Sequence, residues 1–197
     1  MRAWILTARS DTSPVLIIIS GLPGAGKSTL SQRLADHFAL PLLQKDMIKE
    51  TLCDILECRT LSQSQRYGRA SMTLLYQFAE AILKRGQPCL IESTFHPILS
   101  TQDLLKLQQH CPFFPLQIYC HAEMSVLAER VKRRWESGQR HSGHMEHLRA
   151  LNPTPPLAPD SFLPLPLGGH TIEVDTTDIE TLDYTHLLAQ IQSILGD

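Results

Sequence analysis

The sequence predicts an α/β protein, a mainly parallel sheet with helices on both faces. Three observations carry that expectation. Apolar runs of strand length alternate with segments of helical period along the chain. The first run, VLIIIS at 15–20, is continuously apolar and rich in β-branched residues, as a parallel strand buried on both faces must be. It passes through a glycine-rich turn straight into a helical pattern, the opening of a right-handed crossover.

The elements follow in order. From Lys27 the chain reads KSTLSQRLADHF, where Leu30, Leu34 and Phe38 recur at four-residue intervals and define an amphipathic helix. A short strand at 42–44 delivers Lys45 and Asp46 at its end. Residues 47–57 and 64–85 read as helices, the second bearing Leu74, Leu75, Phe78 and Ile82 and stopping at Gly86 with Pro88 beyond. Cys89–Glu92 is a buried strand, 101–110 a helix, 116–120 a strand, and 123–135 a helix whose outer face is thick with arginine. Across 152–167, Pro153, Pro155, Pro156, Pro159, Pro164 and Pro166 exclude a helix or a central strand and leave an extended surface connection. A last strand at 170–174 ends at Asp175, and 179–195 closes the chain as a helix with Leu182, Leu187, Leu188, Ile191 and Leu195. Residues 1–14 place Arg2 and Arg9 around Trp4, Ile5 and Leu6 and are assigned to no element; an extra strand, a leader and a misplaced start stay open.

A length of 197 residues with 43% hydrophobic content suffices for one ordinary core and is little for two, so 15–197 is expected to form a single domain. Eighteen basic against twenty acidic side chains, a net charge of -2, deny the chain the global positive field of a general nucleic-acid binder. The longest apolar run, 15–19, is far shorter than the ~20 residues of a bilayer crossing, so no membrane partner is expected. Five cysteines, an odd number with no CxxC pair, point to reduced thiols and a cytoplasmic setting.

Gly21, Leu22, Pro23, Gly24, Ala25, Gly26, Lys27 and Ser28 satisfy GxxxxGK[ST] in full, between a buried strand and a helix. The residue types follow from the chemistry of phosphate. Glycines let backbone N–H groups curl round phosphate oxygens, the helix N-terminus adds its dipole, and Lys27 reaches the β- and γ-phosphates. Ser28 offers a hydroxyl to Mg²⁺. Residues 21–29, Thr29 included, are therefore expected to hold ATP or GTP. A phosphate loop alone does not decide whether the γ-phosphoryl passes to water or to an acceptor.

Ligands of an open parallel sheet bind beyond the carboxyl ends of the strands. Asp46, after the second strand, is placed to take the proton of a substrate hydroxyl; the competing role is a helix cap. Lys45 is either a substrate clamp or a solvated lysine. Glu92 ends LIESTF and is placed to touch the Mg²⁺ shell, unless it is a satisfied strand end, and Thr94 beside it faces phosphate or substrate. Arg130, Arg133 and Arg134 share a helix before Gly138, and Arg140 follows it, so about 130–147 reads as an arginine-bearing lid rather than a solvated face. His141, His144 and His147 with Glu146 fit neither the HExxH spacing nor a structural Cys/His site, which leaves lid or acceptor contacts.

The segments GLPGAGKST, KDMIKE, LIESTF, ERVKRRWESGQRHSGH and IEVDTTD, in this order over about 15–178, resemble the small AAA-type P-loop kinases of the zeta-toxin and polynucleotide-kinase-like group. The chloramphenicol phosphotransferases are relatives of that group. The resemblance implies the P-loop NTPase fold, three α/β/α layers around a five-stranded parallel sheet of order 2-3-1-4-5. It implies an ATP-dependent phosphotransferase that moves the γ-phosphoryl group to a hydroxyl of a small-molecule acceptor with Mg²⁺. Lys27 and Ser28 would hold phosphate and Mg²⁺, Asp46 would be the acidic base, and Arg130, Arg134 and Arg140 would stand at lid positions. Glu92 departs from the pattern, since many members carry aspartate there. The strand Ile172 to Val174 with Asp175, Thr176 and Thr177 resembles the last strand and turn, near the nucleotide base. A nucleic-acid 5′-hydroxyl or a nucleotide sugar as acceptor, or a regulatory ATPase switch without acceptor chemistry, are the alternatives, because one fold hosts all three.

Overall fold

In the computed structural model, which describes residues 13–138, 140–145 and 163–196, five strands form one parallel sheet. The chain runs β1 (Val15–Gly21), α1 (Lys27–Phe38), β2 (Leu42–Gln44), α2 (Lys45–Leu56), α3 (Leu61–Leu83), β3 (Cys89–Glu92), α4 (Leu99–His110), β4 (Phe114–His121), α5 (Met124–Glu136), β5 (His170–Asp175) and α6 (Tyr184–Leu195). Single 3₁₀ turns lie at Ser142–His144 and Ile179–Thr181. The strand order is β2-β3-β1-β4-β5, with every neighbouring pair parallel, as expected.

The pleat sorts the residues of β1 between two layers. Val15, Ile17 and Ile19 pack with Leu30 and Leu34 of α1 and Leu187 and Ile191 of α6. Leu16 and Ile18 face the other way, onto Leu75, Ala79 and Leu83 of α3 and Leu104 and Leu107 of α4. Burial of β1 on both faces is why its sequence is continuously apolar. Its register against β3 and β4 then lines up the carboxyl ends: Ile19 stands opposite Glu92, Gln44 of β2 opposite the same Glu92, and Gly21 opposite Cys120. Gly21 has φ 140, and a Cβ there would collide with the backbone carbonyl of Cys120. Gly21→Ala is expected to cost at least about 2 kcal/mol, read from urea unfolding, because neither the backbone nor the sheet can yield there.

Element boundaries differ from expectation where caps act. Helix α2 begins at Lys45 rather than 47, directly after β2, which places Asp46 in its first turn. Helix α3 begins at Leu61 rather than 64, because Thr60 and Gln63 form a capping box. The closing helix is broken: Asp178 caps the 3₁₀ turn and Asp183 accepts from the His186 N–H to start α6 at Tyr184. The segment 163–167 is not purely a surface connection. Leu165 and Leu167 are buried, and Gln117 of β4 pins Leu165 by donating to its carbonyl at 2.8 Å and accepting from its N–H at 2.7 Å. Most of the proline-rich stretch and nearly all of the N-terminal segment lie outside the described residues. All five cysteines are free, and no described helix is long and apolar enough to cross a membrane.

Candidate active site

The loop between β1 and α1 closes on itself through Lys27, whose Nζ donates to the Leu22 carbonyl at 2.9 Å. Burial pushes the Lys27 ammonium below its ordinary pKa, against the opposing pull of Glu92. Gly24 and Gly26 sit at φ 87 and 69, and Gly26 caps α1 without a side-chain acceptor. The first N–H groups of α1 thus have no capping side chain, which leaves them to an anion. Gly24 lies against α5, where a Cβ would come within 2.9 Å of the Leu127 carbonyl oxygen.

Next to the loop, Ser28 Oγ donates to Glu92 Oε2 at 3.1 Å. Gln44, at the end of β2, donates to the same carboxylate oxygen at 3.3 Å and to Ser31 Oγ at 3.2 Å. Burial raises the Glu92 carboxyl above its ordinary pKa; Lys27 opposes and Asp46 adds to the rise. The folded protein therefore holds the Glu92 proton more tightly than the unfolded chain, and the ionised form is a cost that grows as pH rises above the unfolded value near 4.3. Glu92→Gln is expected to raise the melting temperature at pH 7 relative to wild type, with the gain vanishing near pH 4 in paired thermal scans.

In the same cleft, Asp46 is held at both oxygens. Lys45 Nζ donates to Oδ1 at 2.9 Å and Arg140 Nη1 to Oδ2 at 3.1 Å. Burial would raise this carboxyl, but Lys45, His144 and Arg140 together overturn it and hold Asp46 well below the ordinary carboxylate range. Asp46 does not cap α2; Gln44 stands at that position. The segment after α5 docks on α2 through further contacts. His144 Nε2 meets Glu50 Oε1 at 2.8 Å, and His141 Nε2 meets Asp54 Oδ1 at 2.9 Å. The Gly143 carbonyl accepts from Ser64 Oγ at 2.7 Å, with the Cys53 and Cys58 thiols at 3.9 and 3.7 Å, and Lys49 Nζ donates to Ser64 at 2.8 Å. Glu146 and His147, the end of the expected lid, lie outside the described residues.

Loop and docked segment together line a cleft of about 250 Å³ bounded by Pro23, Gly24, Gly26, Lys27, Ser28, Thr29, Lys45, Asp46, Glu92, Ser93, Thr94, Arg130, Arg134 and Arg140. Gly21 and Ala25 support the loop from behind: Ala25 is buried, and its carbonyl accepts from Thr176 Oγ1 at 3.3 Å. The three lid arginines occupy distinct settings. Arg140 grips Asp46. Arg134 lines the cleft with no carboxylate in ion-pair distance among the described residues. Arg130 donates to backbone carbonyls, Nη2 to Thr176 at 2.8 Å and Thr177 at 3.3 Å, Nη1 to Gly24 at 3.4 Å. It ties α5, the phosphate loop and the turn after β5 together. Glu50, Gln44 and Ser64 escaped the sequence reading. Only the four-residue spacing of Asp46, Glu50 and Asp54 hinted at a shared face.

This fold and this cleft define a P-loop protein of the kinase-like class. The chain belongs to the AAA domain family, whose profile matches residues 16–153. It is 37% identical to a protein of solved structure from Chloroflexus aurantiacus described as a candidate kinase, with 93% of this chain and 100% of that one covered and a TM-score of 0.83. A sugar kinase from Janibacter is 14% identical with a TM-score of 0.54 over 94% of this chain and 99% of that one. The APS kinase of Mycobacterium tuberculosis, solved with AMPPNP and APS, is 14% identical with a TM-score of 0.57 over 93% and 98%. These two share the fold. No curated protein matches the chain.

Proposed function

We propose that the chain is an ATP-dependent kinase of the zeta-toxin and polynucleotide-kinase-like group, moving the γ-phosphoryl group to a hydroxyl of a small-molecule acceptor in a single cytoplasmic domain. One observation carries this reading: a complete phosphate loop and a carboxylate held ionised, Asp46, line one cleft. Asp46 has other partners than the carboxylate beside Ser28, so one carboxylate can serve a cation while the other meets the nucleophile. The loop N–H groups, with Gly21 to Thr29, cradle the phosphates, and Lys27 leaves Leu22 to reach them. Asp46 accepts the hydrogen bond of the incoming hydroxyl and aligns its lone pair. Its low pKa makes it a weak base, so it acts mainly by orientation, as a loose phosphoryl-transfer transition state permits. Arg134 and Arg140 face the charge that builds on the transferred group.

Ser28 and Glu92 are two hard oxygen donors side by side, a donor set that fits Mg²⁺. When bound, the ion would neutralise phosphate charge; the buried, raised carboxyl of Glu92 is a group whose ionisation a cation would favour. GTP in place of ATP is the variant of this reading that the loop accommodates equally. A nucleic-acid acceptor is disfavoured by the net charge of -2.

The test is incubation with γ-labelled ATP and a panel of hydroxyl metabolites, antibiotics, nucleotide sugars and a 5′-hydroxyl oligonucleotide. Label on one small acceptor, lost in Asp46→Ala, is the expected result. Label only in free phosphate across the panel, unchanged by Asp46→Ala, would sink the reading. Arg130 belongs to positioning rather than to chemistry, because its donors are engaged by carbonyls. Arg130→Ala is expected to raise KM for ATP about tenfold with kcat within about threefold, since it loosens the ground-state and transition-state complexes alike.

A further inference from the structure

Helix α2 carries Asp46, Glu50 and Asp54 at four-residue spacing, and the segment after α5 answers each: Arg140 on Asp46, His144 on Glu50, His141 on Asp54. Hydrogen-bonding capacity fixes the state of the central member. A guanidinium only donates, so the 3.1 Å contact between Arg140 Nη2 and His144 Nδ1 requires a bare Nδ1. The proton of the neutral ring then lies on Nε2, from which it is donated to Glu50 Oε1 at 2.8 Å. The side chain is only 6% exposed. Lys45, Asp46, Lys49 and Glu50 of α2 and Arg140 of its own segment face it. Burial and these cations outweigh the pull of Asp46 and push the imidazole down to about 3.

Among the described residues Arg140 is held at Nη1 by Asp46 and at Nη2 by His144. We propose that Glu50 and His144 are positioning residues for the transfer: Glu50 sets the tautomer of His144, His144 sets the plane of Arg140, and Arg140 holds Asp46 in line for the acceptor hydroxyl. This rests on the reading of Asp46 given above. A ring protonated on Nδ1 would set N–H against N–H and turn the guanidinium away. The ordering of substitutions follows from geometry. Asparagine offers an acceptor near the place of Nδ1, whereas glutamine reaches toward the place of Nε2 and offers Nη2 of Arg140 no acceptor where Nδ1 stood.

The full-length protein supplies two separable readouts. In ¹⁵N-histidine NMR the His144 ring is expected to remain neutral with Nδ1 unprotonated from about pH 5 to pH 8, where an unperturbed histidine titrates. With γ-labelled MgATP as the probe and water standing for the acceptor, His144→Ala, His144→Gln and Glu50→Ala are expected to lower kcat about tenfold while KM for ATP stays within about twofold. His144→Asn is expected to recover most of that loss, and Glu50→Gln likewise, since its amide oxygen still accepts from Nε2. An Nδ1-protonated ring, equal impairment by asparagine and glutamine, or losses that track melting temperature in place of kcat would overturn the inference. A wild-type protein that releases and transfers no label would instead overturn the kinase reading, and the catalytic role of the relay with it, while the NMR result would still decide the tautomer.

Discussion

Lys27→Met is expected to lower γ-phosphoryl turnover by about 10²- to 10³-fold, the scale seen when one preorganised charge donor is removed from a transition state. The structure explains why the loss should appear in kcat without a loss of fold. Lys27 is nearly buried, burial depresses its ammonium, and the fold's own use of the group is one hydrogen bond to the Leu22 carbonyl. Folding a charged Lys27 is therefore a cost at neutral pH, present below the folded pKa and relieved above it. Methionine keeps the unbranched apolar stem and removes the charge, so the melting temperature of the variant should equal or exceed that of wild type. Turnover of γ-labelled ATP beside a thermal scan checks both halves. A variant that loses activity only because it unfolds would contradict the account.

Asp46→Asn is expected to reduce transfer to the acceptor by about 10²- to 10³-fold, within the range for a positioned base. Asparagine fills the same space but loses the charge that Lys45 and Arg140 grip. Its amide can present N–H groups to two cations that need an acceptor. The pH signs are definite. Asp46 has a depressed folded pKa, so its contribution to stability is full above the unfolded value near 3.9 and is lost as pH falls through the folded one. Wild type should accordingly lose its stability advantage over Asp46→Asn only in strong acid. Between pH 5 and pH 8 the activity profile should show no step from this carboxylate. A wild-type kcat that rises through a carboxylate-like step in that window would show that Asp46 is not held ionised.

What could be read from the sequence is what the chain encodes locally. Strands β1 and β3 were legible because central parallel strands are apolar throughout, and the phosphate loop because all its parts are contiguous. Asp46 and Glu92 followed from their places at strand ends. The start of α3 is also written locally, in the capping box of Thr60 and Gln63, three residues ahead of the expected start at 64. The burial of Leu165 depends on Gln117, 48 residues away in the chain, and no local pattern announces it. The same holds for His144 and Glu50, separated by 94 positions. Arg130 was legible as a lid arginine, yet its engagement by three carbonyls depends on where the turn after β5 arrives.

The three-point pairing of α2 with the docked segment has a consequence for engineering. Three acidic teeth on one element meet three basic or imidazole partners on the other, Asp46 with Arg140, Glu50 with His144 and Asp54 with His141. A chimera that imported only the segment 140–145 from a relative would misalign every tooth unless that relative carried the same acidic ladder. Helix α2 and the segment 140–145 are therefore one cassette, to be exchanged together or left alone, although two of the five strands, β3 and β4, are built between them in the chain.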